Sequence, residues 1–98
     1  MKAVLLTRTR VAYTDSSFAE IVVWEVPYPL KGSVHSYKYR LAFVVDGVCV
    51  LRYDNEPGKG DHRHTQDGEG RYRFVSIDKL FADFDRDIRR IMNEDRNT

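Results

Sequence analysis

The segment Tyr37-Lys38-Tyr39-Arg40-Leu41-Ala42-Phe43-Val44-Val45-Asp46-Gly47-Val48-Cys49-Val50-Leu51-Arg52-Tyr53-Asp54 is a β-hairpin written out in sequence. In its first half Tyr37, Tyr39, Leu41, Phe43 and Val45 share one face of an extended chain, and Lys38, Arg40 and Ala42 share the other. That is the two-residue period of a strand. Asp46-Gly47 is the pair a two-residue type I′ turn favours, because both central residues of that turn take positive φ. Val48 to Asp54 then returns as the antiparallel partner. Cys49, the chain's single cysteine, falls in the apolar run Val48-Cys49-Val50-Leu51 and is expected to be buried there as a small hydrophobe.

Toward the N-terminus, residues 2–13 and 18–26 read as two further strands separated by the turn cluster Thr14-Asp15-Ser16-Ser17. Pro27 and Pro29 end the second, since proline has no amide hydrogen for a sheet ladder. Toward the C-terminus, residues 71–75 read as a fifth strand. Ser76 is placed as the N-cap of a helix over 77–92, in which Ile77, Leu80, Phe81, Phe84, Ile88, Ile91 and Met92 recur at steps of three and four. Its charged residues, Lys79, Asp83, Asp85, Arg86, Arg89 and Arg90, are expected to be solvated. Strands followed by a helix predict a single α+β domain over residues 1–98, a two-layer sandwich. Its five-stranded, mainly antiparallel sheet carries the C-terminal amphipathic helix on one face.

Size and charge narrow the function. Ninety-eight residues suit one domain. Sixteen basic against fifteen acidic residues leave a net charge of +1, so a polyanion would have to be held by a local patch rather than a whole-molecule field. A lone cysteine forms no intrachain disulfide and suits a reducing cytoplasm. No apolar stretch nears the ~20 residues that span a bilayer, and the early polar run Thr7-Arg8-Thr9-Arg10 reads as strand rather than signal peptide. Neither a membrane nor a cofactor is expected.

The chemistry-bearing residues concentrate between Tyr53 and Tyr72. Asn55 to Gly70 is poor in apolar residues and reads as one long loop or two ragged strand ends around a loop. His62 and His64, two residues apart, fall on the same side of an extended chain, and Arg63 points the other way. Three readings compete. In the first, His62 and His64 are the proton-transfer pair of a metal-independent ribonuclease, and Lys59 and Arg63 stabilise the phosphorane, with Arg71 in support. Tyr53 and Tyr72 then position a base, and Asp54 or Asp61 orients an imidazole. In the second, His62 and His64 with Asp61 or Asp54 ligate a metal. In the third, the segment is an ordinary solvated loop. His35 reads as a loop or strand-edge residue, and Trp24, Tyr37 and Tyr39 as core and sheet-face residues, with an aromatic RNA-binding platform as their alternative.

The strings Ala19-Glu20-Ile21-Val22-Val23-Trp24-Glu25-Val26-Pro27, His35-x-Tyr37-Lys38-Tyr39-Arg40-Leu41 and Arg52-Tyr53-Asp54-Asn55-Glu56-x-Gly58-Lys59-Gly60-Asp61-His62-Arg63-His64 carry a likeness. Tyr72-x-Phe74-Val75 and Asp83-Phe84 add to it. Together they resemble the TumE-type toxin family of prokaryotic toxin–antitoxin systems, over nearly the whole chain. The resemblance implies a growth-inhibiting toxin encoded beside a cognate antitoxin, usually of helix-turn-helix type. By analogy with other small toxins, it implies a ribonuclease acting on RNA. A non-catalytic RNA- or protein-binding toxin is the alternative. One helix covers one sheet face, and the row from Tyr37 to Val45 with the apolar positions of the first two strands suggests apolar surplus. A homodimer is therefore expected.

Overall fold

The structure is a computed structural model and describes residues 2–96. Six strands run β1 (Val4–Thr14), β2 (Ser17–Glu25), β3 (Tyr37–Val45), β4 (Val48–Glu56), β5 (Gly60–Thr65) and β6 (Gly68–Arg71), followed by α1 (Ile77–Arg96). Each strand pairs antiparallel with the next, so the sheet order is the chain order, an α+β meander carrying one helix. The β3–β4 hairpin closes at Val45↔Val48, with Asp46 and Gly47 at φ 51° and 78°. Both values are those the Asp-Gly pair predicted.

The segment after β4 departs from the sequence reading. The polar stretch is neither loop nor ragged ends: β4 continues to Glu56, and β5 and β6 add two strands. A segment without apolar residues still pairs when its backbone donors find a ladder beside them, and the exposed edge of β4 supplies it. The predicted fifth strand at 71–75 is, beyond Arg71, an extended crossing segment outside the sheet. Its alternation was genuine, with Tyr72 and Phe74 inward and Arg73 and Val75 exposed. Alternation reports which side is covered; it does not report a ladder. Cys49 is a further correction. It is exposed on β4 near the hairpin end, and we expect native protein to react with one equivalent of a thiol reagent such as DTNB without denaturant. A thiol that titrates only after unfolding would contradict this placement.

Ser76 caps α1 as its position implied, its Oγ accepting from the Lys79 amide at 3.0 Å. The helix presents Leu80, Phe84 and Ile88 to Tyr39, Leu41, Phe43, Leu51 and Tyr53 of the sheet. The crossing segment adds Phe74 against Tyr37 and Tyr39 and Tyr72 against Tyr53. The row expected to leave apolar surplus is thus covered from within the chain. Exposed large hydrophobics lie instead largely on β1, at Val4, Leu5, Leu6, Val11 and Tyr13. Among the described residues no helix is long and apolar enough to cross a membrane.

Gly32 and Gly60 fasten the β2–β3 loop to the start of β5. Both have positive φ, 94° and 75°. A Cβ on Gly60 would sit 2.6 Å from Gly32 O, and one on Gly32 would sit 2.8 Å from Gly60 N. Alongside, the Gly58 amide donates to Lys31 O at 2.6 Å. Gly60→Ala is expected to cost about 1–3 kcal/mol or more from backbone strain and the clash together. An unchanged urea midpoint would show that the two backbones need not touch.

Candidate functional site

In an antiparallel ladder directly opposed residues share a face and neighbours alternate. Tyr53↔Arg63 and Asn55↔Asp61 are opposed on one face, Arg52↔His64 and Asp54↔His62 on the other. The first face is the helix side, since both Tyr53 and Arg63 reach Asp87 of α1. The second carries no helix among the described residues. The sheet therefore divides the residues singled out from the sequence. His62, His64, Asp54 and, by its pairing with His62, Arg71 are on the open face. Arg63, Tyr53, Asp61 and Tyr72 are on the helix side, and Lys59 stands exposed in the β4–β5 turn.

On the open face, Glu69 of β6 bridges the two imidazoles. Its Oε1 lies 3.1 Å from His62 Nδ1 and its Oε2 3.4 Å from His64 Nδ1, with the ring centroids 6.2 Å apart. The first contact is close without being aligned as a hydrogen bond, and His62 Nδ1 is buried from solvent. His62 Nε2 donates to the Lys59 carbonyl at 2.6 Å. His64 Nε2 lies 3.2 Å from Arg52 Nη2 and 3.5 Å from Asp54 Oδ1. A guanidinium only donates, so this contact leaves His64 Nε2 as a lone pair, with the ring proton on Nδ1 toward Glu69. Arg52 Nε also sits 3.0 Å from Asp54 Oδ2. Arg52, Asp54, Glu56, Lys59, His62 and His64 line a cleft of about 20 Å³. That is room for one water-sized group, such as a single phosphate oxygen.

The helix side holds a different arrangement, built for cohesion. Asp87 accepts from Arg63 Nε at 2.8 Å and from the Tyr53 hydroxyl, and Arg63 Nε also lies 3.1 Å from that hydroxyl. Burial by itself raises the Asp87 pKa; the hydrogen bonds and charges of Arg63, Tyr53 and Arg86 more than cancel it, holding the carboxyl below its usual 3.8. Next along the helix, Asp83 accepts from the Tyr72 hydroxyl at 2.6 Å and from Lys79 and Arg86, and its carboxyl too is held low. Burial and the acceptor carboxylates push the Tyr53 and Tyr72 phenols up, so both stay protonated donors.

Asp83, expected on a solvated helix face, is therefore corrected: it is 5% exposed, and Asp87 2%. The signal was present, because 83 and 87 fall in the same three-and-four stripe as Leu80, Phe84 and Ile88. An acid in an apolar stripe announces a buried partner.

Asp61 does hold an imidazole, but that of His35. His35 Nε2 and the Tyr39 hydroxyl each approach Asp61 Oδ1 at 2.7 Å, and the His35 ring stacks on Phe74 at 3.8 Å. Asn55 completes the lock, accepting from the Tyr39 amide at 2.9 Å and donating to Tyr37 O at 2.7 Å. Burial, then the Asp61 hydrogen bond, pushes the Tyr39 phenol up. His35 is thus separated from His62 and His64 by the thickness of the sheet. Asn55 and Ser33, which contacts both Asp61 and Asn55, were not singled out from the sequence; nothing local marks a buried asparagine in a polar run. Among the described residues no three His, Cys, Asp or Glu side chains converge in the manner of metal ligands.

No curated protein and no solved structure is similar enough to match the chain. The family model described as toxin TumE matches residues 2–92. With the match spanning both sheet faces and most of α1, the chain belongs to the TumE toxin family.

Proposed function

We propose that this toxin, whose family implies a cognate antitoxin as partner, acts on RNA as a metal-independent ribonuclease through the open sheet face. The observation that supports the reading is the pair of imidazoles bridged by Glu69 and presenting unlike hydrogen-bonding sides. His64, its Nε2 lone pair released as Arg52 turns from it to the phosphate, removes the proton of a ribose 2′-hydroxyl. The 2′-oxygen bonds to phosphorus as the bond from phosphorus to the 5′-oxygen breaks. His62, whose ring nitrogens both face oxygen acceptors, returns a proton to the leaving 5′-oxygen. A 2′,3′-cyclic phosphate and a 5′-hydroxyl result. Lys59, Arg52 and Arg71 offset charge on the phosphorane, and Asp54 with Glu69 orients the rings. Arg63, Tyr53, Asp61 and Tyr72 support this face from behind.

Incubation with end-labelled single-stranded RNA, with and without EDTA, tests the reading. Cleavage in EDTA, leaving cyclic phosphate and sparing an oligonucleotide with one 2′-deoxy position at the cut, is the expected result. Cleavage lost in EDTA would turn His62 and His64 into metal ligands and overturn it. RNA that is bound and never cut would favour the second reading, a toxin that occludes RNA, which draws on the narrowness of the cleft. In this reading the homodimer forms through the exposed apolar edge of β1; sedimentation as a monomer at high micromolar concentration would dismiss it.

A further inference from the structure

The open face carries more than the histidine cleft. Cross-strand register assembles two unbroken rows perpendicular to the strands. One reads Arg8, Val22, Arg40, Asp54, His62, Arg71; its neighbour reads Arg10, Glu20, Ala42, Arg52, His64, Glu69. Each histidine thus stands toward the far end of a row that begins with an arginine on β1. Trp24 and Lys38 are opposed in the next position along β2 and β3.

Arg8, Arg10, Lys38, Arg40 and Arg71 are all exposed. Among the described residues none of the five forms an ion pair, nor do the exposed Arg73 and Arg90, whereas Arg52 on this face and Arg63, Lys79, Arg86 and Arg89 on the helix side do. Two of them lie over aromatic rings instead, Arg8 at 5.9 Å from the Trp24 centroid and Arg10 at 3.7 Å from that of Phe18. Between Trp24 and the histidines runs an open groove of about 430 Å³ lined by Lys38, Arg40, Arg52, Asp54 and Glu56 among others, the last three shared with the histidine cleft.

We infer that single-stranded RNA crosses this face as a track running from β1 to β6, with a base stacked on Trp24 and the backbone held by Arg8, Arg10, Lys38 and Arg40 on its way to the histidine cleft. The inference rests on RNA being the target. Unpaired arginines held on one surface repel one another, and phosphates relieve that repulsion. A half-buried aromatic among them, with Arg8 over its ring, is a combination that can stack unpaired bases. Duplex RNA keeps its bases stacked inside and offers Trp24 none. Five strand spacings of about 4.8 Å make each row about 24 Å long, which accommodates several nucleotides.

Trp24 is the chain's single tryptophan, so its emission reports on this position alone. The His62→Ala/His64→Ala protein, used so that RNA is not consumed, is titrated with a fluorescein-free oligouridylate of about eight nucleotides, and binding is followed in parallel by anisotropy of a labelled copy. Trp24 emission is expected to be quenched in step with binding, and a duplex of similar length is expected to leave it unchanged. On the same background Trp24→Ala is expected to weaken binding tenfold or more, with Trp24→Tyr restoring most of it. Arg8→Ala/Arg10→Ala is expected to lower the slope of log affinity against log salt by about one to two.

Saturable RNA binding with unaltered Trp24 emission would overturn the track, as would Trp24→Ala binding within twofold of its parent. Emission that answers only to the antitoxin would overturn it in favour of a protein interface. The two proposals fail separately. Quenching by RNA that wild-type protein never cuts removes the nuclease and keeps the track; cleavage without quenching removes the track and keeps the nuclease.

Discussion

His64→Ala is expected to lower the rate of RNA cleavage by about 10²–10⁴-fold, the usual contribution of a positioned proton-transfer group. His62→Ala should fall in the same range, and the double variant little further, because residues that act as one unit are not additive. The fold should be nearly indifferent. Both rings lie on the open face, about one-fifth exposed (17% and 24%), and none of their contacts reaches the core. A shift in stability within about 1 kcal/mol is expected. Initial rates on labelled RNA, set beside urea midpoints for each variant, make the comparison. Rates within a few-fold of wild type would remove both histidines from the chemistry. A large loss of stability would instead mean that the Glu69 bridge holds β6 to the sheet, and the activity loss would then say nothing about proton transfer.

Arg63→Met is expected to be strongly destabilising, at about 3–5 kcal/mol, with unfolding temperature falling by roughly 4–8 °C for each kcal/mol. The size comes from what remains behind. Without Arg63, the buried Asp87 carboxylate keeps one hydrogen bond from Tyr53 and a 3.6 Å approach from Arg86. Asp87→Ala should cost less, because the Arg63 left behind is 37% exposed and can turn toward water. Replacing both by apolar residues of similar volume, Arg63→Met/Asp87→Leu, should recover much of the loss. At temperatures where it is folded, Arg63→Met should still cut RNA near the wild-type rate, since its side chain lies on the helix side. A hundredfold loss of cleavage with stability intact would place Arg63 in the chemistry after all.

The same network sets the acid limb of stability. Asp83 and Asp87 have folded pKa values below their usual 3.8, so the unfolded chain binds protons first as pH falls. Their contribution is whole above about pH 5, shrinks as pH passes below 3.8, and is gone once pH falls through the folded values. The unfolding midpoint should therefore fall as pH drops below about 4, and Asp87→Asn should flatten that fall. An equally steep profile in Asp87→Asn would assign the acid sensitivity elsewhere.

Particular elements show where sequence was sufficient. Alternation over 37–45, the positive-φ demand of Asp46-Gly47 and the Ser76 cap are properties of a few neighbouring residues, and each is in the structure as read. The stripe of α1 is equally legible; of the two buried acids in it, Asp83 reads as solvated surface from its charged neighbours and Asp87 is not marked at all. Residues 60–71 could not be read the same way. They pair as strands because β4 offers a free ladder, and their polar composition carries no trace of that neighbour. Cys49 failed for a related reason, since an apolar run marks a strand without saying which of its positions lies at an open end.

By itself the sequence determined the meander's central hairpin, the helix and its start, and the same-side placement of His62 and His64 with Arg63 opposed. Local backbone preference and side-chain period decide these wherever the segment is put. Which side faces what was decided only by tertiary structure. The two faces of a strand such as Gly60–Thr65 are interchangeable until α1 and the segment after β6 remove water from one of them. That desolvation draws Arg63, Asp61, Tyr53 and Tyr72 into ion pairs and hydrogen bonds with groups far away in sequence. It leaves His62, His64 and the exposed Arg8, Arg10, Arg40 and Arg71 on the face that α1 does not cover.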